Sequence, residues 1–136
     1  QRWSGNKKII WPKHPRIDLN RIDYDKEKFK IIDPIGYIEF IKLVKGSWCV
    51  FTDSGGIQEE TSFLGIKCFT LRENTERPVT INFGTNTLIK KTMFGQTSDW
   101  IEKSIFENKN PIKIDHWDGK ASDRILDIFN SYVNIK

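Results

Sequence analysis

The chain has 136 residues, of which 38% are hydrophobic and 29% are charged, and its formal net charge is +4. This length suits one domain with its own core, and the composition excludes a disordered chain. The longest apolar stretches have only strand length, which excludes a bilayer span. Basic and acidic side chains are interspersed rather than gathered in one stripe, so we predict no nucleic-acid partner. A mild positive charge suits a small anionic ligand.

The two cysteines, Cys49 and Cys68, lie inside apolar runs and lack the spacing of metal ligands. They are therefore expected to be buried free thiols of a reducing compartment, which predicts a cytoplasmic protein without a metal site. The chain begins at Gln1 with neither an initiator methionine nor a signal-like segment. We expect either a processed chain or a piece of a longer one.

Five short runs have the length and the apolar or β-branched content of strands. In chain order they are residues 8–12, 29–33, 48–51, 67–71 and 86–89.

Helical patterns separate these strands. Apolar residues at offsets of 3, 4 and 7 predict a helix between the second and third strands, ended by Gly46. They are Tyr37, Phe40, Ile41 and Val44. A short helix over residues 55–64 is expected to end at Gly65. Further helices are predicted at 98–107 and at 120–133, the latter preceded by Asp118 and Gly119.

This alternation predicts an α/β fold, a Rossmann-like parallel sheet flanked by helices, because right-handed crossovers return each strand to the same direction. The loops that follow the strands then meet at the carboxyl edge, where open α/β sheets bind ligands. These loops are residues 13–16, 34–37, 52–56 and 72–78.

The loop at 52–56, "TDSGG", leads from a strand into a helix. Ser54 can donate its hydroxyl to a phosphate, while Gly55 and Gly56 let the phosphate approach the free N–H groups of the helix start. The sequence fits equally well an alternative in which Ser54 only caps the helix and the glycines only turn the chain. Glu59 and Glu60 either offset the helix dipole, or one of them accepts the hydroxyls of a ribose.

His14 and Arg77 lie in separate loops at the same edge and both can donate to a diphosphate. The alternatives are a surface histidine and a salt bridge from Arg77 to Glu73 or Glu76. Phe40 either stacks on a base or belongs to the core. No metal-ligand cluster, nucleophile elbow or paired acids are visible, so the pattern stops at half of a site for a phosphorylated ligand.

The segment "TDSGGIQEETSFLGIKCFTLRENTERP" at residues 52–78 resembles the signature segment of the UDP-N-acetylglucosamine 2-epimerases. The resemblance extends to residues 12–16, 31–40, 83–89 and 117–125, in register over nearly the whole chain. It covers only about the last third of that family's chain. Members have two Rossmann-like domains in the arrangement of B-type glycosyltransferases, with the active site between them. The resemblance therefore implies that residues 1–136 are one truncated carboxyl-terminal UDP-binding domain, and that the amino-terminal catalytic domain is absent.

The resemblance implies a UDP-binding role for seven residues and no cofactor. His14 and Arg77 would contact the diphosphate, Ser54, Gly55 and Gly56 would cradle it, Glu60 would hold the ribose hydroxyls, and Phe40 would pack near the uracil.

The implied reaction interconverts UDP-GlcNAc and UDP-ManNAc by elimination of UDP and its re-addition. His14 and Arg77 would assist UDP departure by neutralising the developing charge. The residues that move protons belong to the absent domain, so this chain alone is expected to be inactive. Alternatives are a hydrolysing UDP-GlcNAc 2-epimerase, a non-catalytic nucleotide-sugar binding module, and a glycosyltransferase donor domain.

The family further implies a homodimeric enzyme of polysaccharide biosynthesis. Val79 stands where the family commonly has a glutamate, which predicts the loss of a partner for Arg77. Residues 90–100 depart from an expected glycine-containing loop. The helix at 120–133 is expected to expose part of an apolar face that packs on the other domain.

Overall fold

The structure, a computed structural model, describes residues 8–93, 100, 101, 103, 104 and 113–133. It confirms the five predicted strands, with ends that differ from the prediction by at most a residue or two. They are β1 (Ile9–Pro12), β2 (Phe29–Ile32), β3 (Cys49–Thr52), β4 (Lys67–Thr70) and β5 (Asn86–Leu88).

The strands form two hydrogen-bonded sets, both parallel. β1 pairs with β2, whereas β3, β4 and β5 form a three-stranded sheet in that order. Parallel pairing confirms the predicted α/β class. The described strands do not form one continuous ladder, because no strand pairing joins β1 or β2 to the other three.

The helices also follow the predicted pattern. They are α1 (Tyr37–Lys45), α2 (Gly55–Leu64), α3 (Pro78–Asn82) and α4 (Ala121–Val133), with 3-10 turns at Leu19–Arg21 and Lys91–Met93. Helix α3 was not predicted; it starts at a proline, which suits the first helical position because it has no N–H to satisfy. Residues 100, 101, 103 and 104 are helical, and the rest of the predicted helix at 98–107 lies outside the described residues.

Helix α2 ends where the sequence indicates, at Gly65. This glycine has a φ of 73°, in the left-handed region that glycine adopts without a steric penalty. The Ile66 N–H donates to the Thr61 carbonyl at 2.8 Å, which satisfies one of the last carbonyls of the helix. The chain then enters β4 directly, so α2 and β4 are closely packed parts of one βαβ unit.

The core lies on β4. Phe69 is fully buried and packs with the buried residues Ile89 and Ile101. Its ring stacks on Phe51 of β3 with centroids 5.0 Å apart and meets the edge of Trp100 at 6.2 Å. This aromatic and aliphatic packing holds the three-stranded sheet together and places the carboxyl ends of β3 and β4 side by side.

Both cysteines are free, as predicted. Cys68 is buried and Cys49 is half-buried. Burial raises the pKa of the Cys49 thiol to about 11 and also raises the pKa of Cys68. These thiols therefore pack as small apolar side chains.

No helix among the described residues is both long and apolar enough to cross a membrane.

Candidate functional site

The start of α2 lies at the carboxyl end of β3 and is open to solvent. Ser54 precedes the helix in an extended conformation, and its hydroxyl does not cap the helix. A Cβ built on Gly55 or Gly56 would meet nothing within 4 Å. The first N–H groups of a helix have no intrahelical partner and carry the positive end of the helix dipole. The loop therefore presents free donors and an uncommitted hydroxyl to any anion that approaches.

A buried polar network holds this helix start in place. Gln58 is fully buried, and its Nε2 donates to the Ser54 carbonyl at 3.3 Å. Its Oε1 accepts from the Thr75 hydroxyl at 2.6 Å and from Asn86 Nδ2 at 3.0 Å. Because Thr75 lies in the loop after β4, Gln58 joins two of the loops at the carboxyl edge.

The same network fixes the backbone of Arg77. The Arg77 N–H donates to the Thr75 hydroxyl at 3.0 Å, and the Arg77 carbonyl accepts from the Thr80 hydroxyl at 2.7 Å. Thr80 also accepts from Asn86 Nδ2 at 3.1 Å, and Asn86 Oδ1 accepts from the Thr70 hydroxyl at 2.7 Å. Buried polar groups that are all paired hold one geometry, so this arrangement orients Arg77 relative to α2.

The guanidinium of Arg77 pairs with Glu59. Arg77 Nε lies 2.9 Å from Glu59 Oε1, and both side chains are half-exposed. The contact is an ion pair by distance and lacks hydrogen-bond geometry, because Nε itself is buried without a hydrogen-bond partner. The predicted alternative, a salt bridge to Glu73 or Glu76, is wrong in its partner because α2 brings Glu59 closer. Glu73 instead accepts from the Lys91 N–H at 3.0 Å. Arg77 therefore has a carboxylate partner despite Val79.

Glu60 faces a different direction from Glu59, as a helical step of about 100° requires. The nearby Glu60 carboxylate raises the pKa of the Tyr37 phenol. The Glu60 Oε2 atom is buried without a hydrogen-bond partner. A buried acceptor without a donor is uncommon in folded proteins. Glu60 Oε2 is thus an unpaired acceptor that suits a hydrogen-bond donor of a ligand.

A shallow cavity of about 240 Å³ lies at the carboxyl ends of β1 and β2. His14 and Phe40 both line it, together with prolines of the two loops. His14 Nδ1 accepts from the Arg16 N–H at 3.2 Å, which leaves Nε2 as the nitrogen that can donate. Phe40 is half-buried, so its ring belongs partly to the cavity and not only to the core.

A second cavity, of about 300 Å³, lies beside α2. It is lined by Glu59, Glu60, Phe63 and Trp117. Trp117 follows His116, which has a φ of 63°, unusual for a residue with a side chain. This backbone turn is braced by Arg124, which donates to the His116 carbonyl at 3.0 Å.

The loop before α4 is fixed by a bidentate ion pair. Arg124 donates to both oxygens of Asp118, at 2.9 and 3.1 Å. The pair holds the pKa of Asp118 well below its ordinary value, at about 2. The ion pair therefore fixes the segment that contains Trp117, which lines the second cavity together with Glu60.

The predicted site residues fall into two groups. Ser54, Gly55, Gly56, Glu60 and Arg77 lie on α2 or on the loop tied to it. His14 and Phe40 share the first cavity, and among the described contacts neither touches the α2 group directly. The two groups are neighbours through Tyr37, which lies near Glu60 and begins the helix that contains Phe40.

Several residues of this region escaped sequence reasoning. They are Tyr37, Gln58, Thr75, Thr80, Asn86 and Trp117. Gln58 lies inside the "TDSGGIQEE" motif. The signal that could have identified it is a polar residue on the inner face of a short helix. Nothing local marks Asn86, which sits in a strand-like run.

No group of three or more His, Cys, Asp or Glu side chains able to hold a metal ion occurs within the described parts of the chain.

Comparison with known families gives a match to the UDP-N-acetylglucosamine 2-epimerase family over residues 3–130. A UDP-N-acetylglucosamine 2-epimerase from Methanocaldococcus jannaschii is 38% identical over 133 residues, which are 90% of this chain and 35% of the relative. One from Salmonella typhimurium is 33% identical over 95% of this chain and 36% of its own length. The chain thus spans about a third of the curated relatives it matches.

The solved structures agree in fold. The crystal structure of the Methanocaldococcus jannaschii UDP-GlcNAc 2-epimerase in complex with UDP-GlcNAc and UDP superposes with a TM-score of 0.66 at 35% identity. The superposition covers 92% of this chain and 36% of that one.

Proposed function

Because the chain belongs to the UDP-N-acetylglucosamine 2-epimerase family, we propose that residues 1–136 are the UDP-binding domain of such an enzyme. The observation that carries the proposal is the open start of α2, where Ser54 leaves its hydroxyl unused and two glycines leave the backbone accessible. The related crystal structure, which contains UDP-GlcNAc and UDP, supports a uridine nucleotide as the ligand.

The diphosphate is assigned to the α2 start together with Arg77. The helix dipole and free N–H groups favour negative charge there, and the planar guanidinium suits phosphate oxygens. Arg77 now pairs with Glu59, so binding would exchange a surface ion pair for a phosphate contact. Surface pairs of this kind contribute at most about 1 kcal/mol, so the exchange costs little.

The nucleoside is assigned to Glu60, Phe40 and the first cavity. Glu60 Oε2 lacks a donor and suits a ribose hydroxyl. Phe40 offers an apolar surface for the uracil, and His14 lines the same cavity with Nε2 available for the diphosphate. These groups converge only if the ligand bridges the two halves of the edge, as an extended nucleotide diphosphate does.

For the whole enzyme we propose the non-hydrolysing epimerisation of UDP-GlcNAc at C2, through elimination and re-addition of UDP. His14, Arg77 and the α2 start would stabilise the negative charge that develops on the departing diphosphate. The proton-moving groups would come from a second, amino-terminal domain, so we propose that this chain binds but does not turn over substrate. A homodimeric, cytoplasmic enzyme of polysaccharide biosynthesis remains a prediction.

Calorimetric titration of the chain with UDP tests this assignment. UDP should bind more tightly than ADP, and Glu60→Ala should weaken UDP binding. The loss of charge-assisted hydrogen bonds is worth about 1.5–3 kcal/mol, which is roughly a 10- to 150-fold rise in Kd. Glu76→Ala removes an exposed carboxylate from the neighbouring loop and should leave Kd within about twofold. Equal binding by Glu60→Ala and the unchanged chain would reject the ribose role, and a folded chain that binds no UDP would reject the site.

A further inference from the structure

Glu59 lies one helical turn after the open start of α2. Residues four apart, such as Gly55 and Glu59, share one face of a helix, and side chains lean towards its amino terminus. The Glu59 carboxylate is therefore on the side of α2 that presents the free N–H groups of the helix start. It does not fill the space above them, because a Cβ built on Gly55 would meet nothing within 4 Å.

The contact between Glu59 and Arg77 is close but poorly aligned. Arg77 Nε lies 2.9 Å from Glu59 Oε1, yet the same Nε is buried without a hydrogen-bond partner. Arg77 Nη1 donates to the Glu76 carbonyl at 3.4 Å, which is long for such a bond. A buried donor that stays unpaired costs free energy, so a better aligned acceptor would be favoured at this guanidinium.

A second ion pair of similar exposure shows the geometry of a well-bonded arginine. Arg124 donates to both oxygens of Asp118, at 2.9 and 3.1 Å, and its side chain is 35% exposed. Two parallel N–H···O bonds are the strong form of this contact. The Arg77 side chain is 41% exposed and has no such pair of bonds with Glu59. Of the two ion pairs, the one beside α2 is therefore the easier to break.

The backbone of Arg77 can stay in place when this pair breaks. Its N–H donates to the Thr75 hydroxyl at 3.0 Å, and its carbonyl accepts from the Thr80 hydroxyl at 2.7 Å. Only the side chain then changes partner, by rotation about its own bonds. A phosphate at the α2 start offers several oxygens to the planar guanidinium, whereas Glu59 contacts it without hydrogen-bond geometry.

We propose that Glu59 competes with the diphosphate of the ligand for Arg77, and so lowers the affinity for phosphate groups without affecting the nucleoside. This inference rests on the proposed function, because it takes the α2 start as the diphosphate site. A glutamate that instead oriented Arg77 for the ligand would have the opposite effect, since its removal would weaken binding. The sign of the change in affinity therefore separates the two roles.

Calorimetric titration of Glu59→Gln with UDP, inorganic pyrophosphate and uridine tests the proposal. Glutamine keeps the shape of the side chain and removes its charge. Release of Arg77 from an exposed ion pair should lower Kd for UDP and pyrophosphate by about two- to fivefold, and change Kd for uridine by less than about 1.5-fold. Glu76→Gln is the matched control, because it removes a charge next to Arg77 without removing a described side-chain contact, and it should leave each Kd within about 1.5-fold.

A double-mutant cycle shows whether Glu59 acts through Arg77. In the Arg77→Gln background, Glu59→Gln should change Kd for pyrophosphate by less than about 1.5-fold. The NMR signal of Arg77 Nε–Hε gives a second readout, which needs no Arg77 variant. Glu59→Gln should shift this signal in the free chain, and saturation with UDP should bring the signals of the two forms together.

Unchanged or weaker UDP binding by Glu59→Gln would overturn the competition and leave the UDP site in place. An equal gain in the Arg77→Gln background would also overturn it, because Glu59 would then act by its charge alone. Arg77 signals that stay apart at saturation would do the same. Tighter pyrophosphate binding in a chain with no preference for UDP over ADP would uphold the competition and reject the uridine assignment. A folded chain that binds neither UDP nor pyrophosphate would overturn both proposals.

Discussion

The three-stranded sheet and helix α4 use apolar patterns with opposite results. In the sheet, Phe69 is fully buried and the polar side chains around it are paired with one another. In α4, by contrast, no residue is buried, and Phe129 and Tyr132 are 66% and 72% exposed. Both segments have patterns that predict a buried face. The comparison teaches that an apolar pattern predicts a face that packs on a partner surface. The described chain contains that partner surface for the sheet and does not contain it for α4.

The largest effect on the free energy of unfolding is expected when Phe69→Ala is compared with Phe63→Ala. Phe69 fills the core of the sheet, and removal of a buried phenyl ring costs about 3–5 kcal/mol of the free energy of unfolding. Phe63 is 69% exposed on α2, so its replacement should change that free energy by less than about 0.5 kcal/mol. Urea unfolding of the two variants measures both values. Similar losses would mean that the core is not centred on β4.

A smaller effect is expected at the buried polar network. Asn86→Ala removes partners from the Thr70 hydroxyl and from Gln58, and buried groups left unpaired cost about 1–3 kcal/mol. Asn82→Ala, at an exposed position just upstream, is the matched control. Thermal unfolding should separate the two variants by several degrees. If Asn86→Ala unfolds like the control, the network does not stabilise the fold.

The smallest effect concerns the loop before α4, which an exposed ion pair holds. Asp118 has a folded pKa of about 2, below its ordinary 3.8, so its contribution to stability is complete above pH 3.8 and is lost as the pH falls towards 2. Carboxyl NMR titration measures this pKa directly. Arg124→Gln should raise the pKa of Asp118 towards 3.8, while Asp123→Asn on the same helix should leave it low. An unchanged pKa in Arg124→Gln would show that Arg124 is not the cause.

Much of the fold could be predicted because its signals are local. The period of α1, the breaker Gly65 and the strand-length runs each lie within a few residues. The placement of the edge loops followed from parallel topology. The division of the strands into two sets could not be predicted, because periodicity contains no information about which strands are neighbours.

The sequence predicted the helix start at the candidate site but not the side-chain contacts that hold it in place. The open start of α2 was visible in "TDSGG" because glycine and serine have defined roles at helix starts. The pairing of Arg77 with Glu59 depends on how α2 sits beside a loop 18 residues away along the chain. Likewise, the Gln58–Asn86 bond joins residues separated by 28 positions. Only the folded chain brings such polar residues together.

The two thiols, of which Cys68 is buried and Cys49 is half-buried, have a practical consequence for these experiments. With a pKa of about 11, Cys49 is almost entirely protonated at neutral pH, and only a thiolate attacks alkylating reagents or disulfides. A single cysteine introduced at an exposed position would therefore outcompete both native thiols for a fluorescent or spin label. The wild-type background can be labelled site by site without first replacing Cys49 and Cys68, whose removal would disturb the packing of β3 and β4.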